Sequence, residues 1–115
     1  MLKLLIVGLF IGAAVAAAPV SNAKQTFLGT ITDSMCAQVG HKSMRMGPTD
    51  AECTDACVAA HGALYVLESG KNVYTLSNQQ TPANFSGRTV RVVGTLDAKT
   101  KTIAVDSIVL APASK

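Results

Sequence analysis

Residues 4–18 form an unbroken apolar run behind Met1-Leu2-Lys3, and this run decides how much chain is left to fold. One positive charge, an apolar stretch of roughly fifteen residues and a tail of small residues match the three regions of a secretory signal peptide. The run is short of the ~20 apolar residues that a spanning helix needs, so no permanent membrane anchor is expected after cleavage. Pro19 stops any helix that tries to continue. Ser21-Asn22-Ala23 places small residues at the −3 and −1 positions, which predicts cleavage after Ala23. Cleavage after Ala18 is the alternative and leaves Pro19 at the new N-terminus. No cysteine lies near either site, which argues against a lipid anchor. The expected organisation is a signal peptide over residues 1–23, one β domain over 24–110 and a disordered tail over 111–115. The expected location is secreted or periplasmic.

About ninety residues build only one small core, and exported domains of this size often need a staple as well. Cys36, Cys53 and Cys57 all lie in the mature part. An oxidising compartment permits a disulfide. An odd count leaves one thiol over unless a metal or a second chain intervenes. Removing the leader removes Lys3 and no acid, leaving nine basic against seven acidic residues. A balance near +2 does not by charge alone indicate a nucleic-acid partner.

The mature chain divides by content. Residues 33–62 carry all three cysteines, both histidines and three of the four methionines. Residues 63–110 read as strands and turns. Phe27-Leu28-Gly29-Thr30-Ile31-Thr32 is a first strand. Leu64-Tyr65-Val66-Leu67 and Val73-Tyr74-Thr75-Leu76 flank Ser69-Gly70-Lys71-Asn72 as a hairpin. In the run 89–96, Val90, Val92, Gly94 and Leu96 share one face and Thr89, Arg91 and Thr95 the other. The last strand, over 102–110, shifts its apolar phase near Asp106-Ser107, which predicts a bulge.

One helix is clearly marked. Thr49-Asp50-Ala51-Glu52 fits a capping box, and Gly62 ends the segment, so a helix is expected over about 50–61. A shorter helical turn is expected over 81–85. The fold class is therefore mainly β: a small five-stranded OB-like Greek-key barrel, with one cysteine-bearing helix inserted after the first strand. A plain sheet packed on the helix fits the same pattern.

Cys53, Cys57 and His61 follow one another at i, i+4 and i+8. Each step of four drifts only about 40°, so the three share a stripe. Cys36 and His41 lie upstream in a long loop, with Met44 and Met46 close after. Cys36, Cys53, Cys57 and His61 form a candidate soft-metal site, for Zn(II) as a Cys3His set or for Cu(I) with thiolate and thioether. The competing reading is a disulfide between Cys36 and Cys53 or Cys57, worth about 3 kcal/mol for a loop of this size. Stacked i, i+4 positions make a Cys53–Cys57 bond geometrically poor. On that reading the spare cysteine is a small buried hydrophobe, and His61 simply suits a helix C-terminus.

Other chemistries find no support. Cys36-x4-His41-x2-Met44 lacks the further upstream histidine that a blue-copper loop needs. No Cys-x-x-Cys precedes a helix, no Ser/His/Asp set is apparent and phosphate-binding glycine loops are absent. Single-stranded nucleic acid needs a basic groove with stacking aromatics. Here the basic residues are scattered and the strands carry only Tyr65 and Tyr74, so no nucleic-acid partner is expected.

Four pieces together carry a family resemblance: Thr30-Ile31-Thr32-Asp33-Ser34-Met35-Cys36, Cys53-x3-Cys57, Gly62-Ala63-x-Tyr65-Val66-Leu67 and Gly87-x-Thr89-Val90-x-Val92-x-Gly94-Thr95-Leu96. The chain resembles a family of small secreted bacterial OB-like proteins of unknown function with three cysteines. The resemblance covers most of residues 27–108. It implies bacterial origin and export, and it implies no activity. The functional expectation is an exported, non-enzymatic binding or interaction module whose Cys/His helix is a disulfide staple or a soft-metal site. A periplasmic thiol-exchange or copper-handling protein is the alternative.

Overall fold

Alternation of β-branched and polar residues, broken by Gly and Asp turns, produces five strands. The computed structural model describes residues 23–112, together with Gly8 and Gly12. Apart from Gly8, Gly12 and Ala23, the leader expected over 1–23 lies outside the described residues, as does the end of the tail, 113–115. The strands are β1 (Gln25–Asp33), β2 (Tyr65–Ser69), β3 (Asn72–Leu76), β4 (Thr89–Asp97) and β5 (Thr102–Leu110). The helices are α1 (Cys36–Val39) and α2 (Asp50–His61), with a 3-10 turn over Thr81–Phe85.

The fold is mainly β, a five-stranded mixed sheet. Its pairing order, β1-β2-β3-β5-β4, closes on itself because β1 pairs with both β2 and β4. Only β3 and β5 run parallel, through Thr75↔Thr102 and Leu76↔Ile103. The hairpin expected around Gly70 joins β2 to β3. The bulge falls where the phase shift placed it. Val93 faces Ser107 while Gly94 faces Val105, so Asp106 is the extra residue.

Val90 and Val92 are fully buried, and with Ile31, Leu67, Leu76 and Ile103 they fill the interior. The phase after the bulge puts Leu110 on the apolar side with Ile108, yet Ile108 is buried and Leu110 is exposed. A second, smaller cluster lies beside this core: Cys36, Cys53, Cys57 and Ala63, with Met35, Met44 and Val58 against it. Val58 touches both clusters.

The helix α2 begins as its capping box dictates. The Thr49 hydroxyl accepts the Glu52 N–H at 3.2 Å and donates to the Glu52 carboxylate at 3.0 Å. Gly62 ends it at φ +66°, the left-handed conformation that glycine adopts at least cost. Of its twelve residues only Cys53, Thr54 and Cys57 are fully buried. A buried Leu or Val contributes roughly 1.5–3 kcal/mol, and α2 fully buries neither. Its seat against β1 therefore depends on its cysteines, on half-buried Val58 and on a few polar contacts.

Candidate metal centre

Two turns, each started by a side-chain oxygen, bring the cysteines together. At the end of β1, Asp33 is wholly buried, and its Oδ1 accepts the N–H groups of Met35 and Cys36, both at 3.0 Å. This turn starts α1 and places Cys36 as its first residue. A short helix thus stands where the sequence predicts a loop. The Thr49 cap sets the start of α2 and with it the stripe of Cys53 and Cys57.

The three cysteines are buried free thiols that meet from these two elements. Cys36 Sγ lies 3.6 Å from Cys53 Sγ and 3.9 Å from Cys57 Sγ. The 40–48 loop closes over them. The Met46 N–H donates to Cys53 Sγ at 3.3 Å, and that thiol donates to the Met44 carbonyl at 3.0 Å. Gly47 lets the loop come this close, since a Cβ there would strike the backbone and Cβ of Glu52.

Two groups of three have ligand atoms within 4.8 Å of one another: Cys36, His41 and Cys53, and Asp33, Cys36 and Cys57. Cys36 belongs to both. Two buried polar atoms lack a partner among the described residues, Asp33 Oδ2 and His41 Nδ1, and each belongs to one of these groups. An unsatisfied buried group costs about 1–3 kcal/mol, so both positions favour a bound cation. His41 Nε2 is 3.1 Å from Thr32 Oγ1, itself 3.5 Å from Thr54 Oγ1. Assigning the ring proton to that bond leaves Nδ1 with its lone pair.

His61 does not join the cluster. It is exposed at the last turn of α2 and belongs to neither group. Two steps of 40° carry it about 80° from Cys53, which is enough to turn it from the cysteines to solvent. The histidine beside the thiols is His41, which the sequence reading placed in the loop near Cys36 without making it a ligand. Asp33 was not singled out at all. Its signal was its place three residues before Cys36, the spacing of a side-chain-capped turn.

Burial pushes the Cys36 thiol well above its usual range, and the hydrogen bond to Asp33 adds to this. Burial also raises Cys57, with the Asp33 carboxylate acting in the same direction. These two groups are protonated thiols at neutral pH unless a cation replaces the protons.

A second polar contact holds α2 to the sheet. Tyr65 Oη, at 2.9 Å, and Ser86 Oγ both donate to Asp55 Oδ1. The open groove of about 850 Å³ near Thr95 and Lys99 is lined by neither cysteine nor histidine. Among the described residues no helix is long and apolar enough to cross a membrane. In comparisons with known proteins the chain matches no family model, no curated protein and no solved structure.

Proposed function

We propose that this chain is an exported, non-enzymatic binding module with an OB-like barrel, and that its cysteine cluster holds a soft metal ion. The observation that carries the reading is the spacing of the sulfurs. A tetrahedral zinc site with Zn–S of about 2.3 Å has S···S edges of about 3.8 Å. The two separations from Cys36, 3.6 and 3.9 Å, bracket that edge. Cu(I) is the other soft ion such a thiol set takes, and Met44 beside it offers a thioether. The closed strand order and the parallel β3–β5 pair support the OB-like reading. The apolar leader and the quoted motifs support export and the three-cysteine family. The scattered basic residues still favour no nucleic-acid partner.

Thiol exchange fits less well. The thiolate is the attacking species, and Cys36 and Cys57 are buried and held as thiols. A disulfide staple remains the covalent counterpart, with Cys36–Cys53 as the shorter approach. One experiment separates the two. Reduced protein, handled anaerobically, is titrated with Zn(II) or Cu(I) and the metal counted per chain. One ion per chain, lost in Cys36→Ser, is expected. A count well below one, together with a mass that shows two thiols oxidised in protein isolated from the periplasm, replaces the metal site with the staple. Intact mass of that protein also tests export, since a chain still starting at Met1 refutes it.

A further inference from the structure

Building on the soft-metal reading, we propose that the fourth ligand is His41. Cys36, Cys53, Cys57 and His41 then bind one Zn(II)-class ion as a tetrahedral Cys3His site, and the ion fastens the 40–48 loop to β1 and α2.

Three observations lead there. First, a ring nitrogen of His41 lies within 4.8 Å of ligand atoms of both Cys36 and Cys53. No other histidine does, since His61 is exposed on the last turn of α2. Second, the ring is arranged as metal-binding histidines are. One nitrogen meets a fixed oxygen, Thr32 Oγ1, and the other is buried with an unused lone pair. Thr32 is itself buried and meets Thr54 of α2, so the ring is oriented from the sheet rather than by the loop that carries it. Third, Asp33, the competing donor, already spends Oδ1 on the two N–H groups that place Cys36. Soft ions prefer sulfur and imidazole to carboxylate. Asp33 is therefore a positioning residue for Cys36, and its unpartnered Oδ2 stays outside the ligand set.

The coordination balances simply. The three thiols each lose a proton to solvent, neutral His41 donates a lone pair, and the zinc complex carries one negative charge. Nothing is oxidised or reduced. Cys57 Sγ lies 3.9 Å from Cys36 Sγ but groups with Asp33 rather than with His41 and Cys53, so closing the tetrahedron requires its side chain to swing toward those two donors.

Co(II) reports both the geometry and the donors. It is titrated into reduced full-length exported chain, followed by competition with Zn(II). We expect the intense visible bands of tetrahedral Co(II), with thiolate-to-cobalt charge transfer. His41→Ala should shift those bands and weaken binding by at least tenfold, and Thr32→Val should weaken it by about 10-fold through the lost ring bond. His61→Ala should leave spectrum and affinity unchanged. Circular dichroism checks that each variant is folded. A full complement of Co(II) that needs Cys36 but gives the same spectrum and affinity in His41→Ala overturns this assignment and leaves the thiolate site standing. An unshifted His41→Ala with a shifted Asp33→Asn moves the fourth ligand to Asp33. No Co(II) or Zn(II) bound by the reduced protein overturns the soft-metal reading itself.

Discussion

Cys36 is the residue on which the site turns, and its position is fixed from the backbone side. Asp33 Oδ1 holds two N–H groups at once, so Asp33→Ala leaves two donors without that acceptor and removes the turn that starts α1. Each buried donor left unsatisfied costs about 1–3 kcal/mol. Chemical denaturation of metal-free Asp33→Ala should show a loss of at least that size, and an unchanged midpoint would mean that α1 does not need the Asp33 turn. Tyr65 gives a residue-level test by pH. Burial, and then the hydrogen bond to Asp55, raise its phenol above the ordinary value. A raised folded value means stability is fully present below the unfolded pKa of about 10 and is lost as pH rises toward the folded one. The alkaline unfolding limb should therefore move to higher pH in Tyr65→Phe, and an identical limb would assign that unfolding to another group. At this scale the sequence exposed the cysteines but not their neighbours. Spacing along one helix can be computed, so Cys53 and Cys57 were legible. The approach of His41 depends on where β1 puts Thr32 and on how the loop crosses α2, and local spacing carries neither.

Elements were read more fully than contacts. The hairpin at Gly70, the bulge at Asp106, the capped α2 and the 3-10 turn all follow from local rules: turn residues, alternation, a Thr-x-x-Glu box and a glycine stop. The single turn of α1 was missed because its only start signal is Asp33, a strand residue whose side chain reaches forward. Thr49→Ala tests the cap of α2. It should cost about 1 kcal/mol, as loss of a threonine cap usually does, and it should also weaken metal binding because Cys53 sits one turn in. Unaltered affinity with lowered stability would separate the helix start from the site. The loop offers a sharper test. Lys42 and Arg45 are both exposed and flank Met44, which packs against the thiols. If His41 ties the loop down, Zn(II) should slow tryptic cleavage after Lys42 and Arg45 in wild type. In His41→Ala it should slow cleavage little. Equal protection in both proteins would show that the thiolates alone order the loop.

For the whole molecule, the question is what keeps the helical layer on a core of short strands. The interior of Ile31, Leu67, Leu76, Val90, Val92 and Ile103 belongs to the sheet, and α2 adds no large apolar side chain fully buried. The five strands and their turns were legible from alternation and turn residues, but not the order in which they pair. The closure through β1, which serves two partners, is a tertiary result that no single segment encodes. The helical layer is held through the thiol cluster and through Asp55, which receives Tyr65 and Ser86. A ligand that binds only the folded chain stabilises it by RT ln(1 + [L]/Kd), about 2.7 kcal/mol at a hundredfold excess over Kd. A domain of 60–100 residues gains about 4–8 °C in Tm for each kcal/mol. Reduced protein in such an excess of Zn(II) should thus melt more than about 10 °C above the same protein in chelator. The gain should vanish in Cys36→Ser, read as the Tm difference between zinc and chelator for that variant, because its metal-free Tm falls on its own account with the loss of a buried sulfur that meets both other thiols. A Tm that zinc does not raise in wild type would leave α2 held by packing and by Asp55 alone.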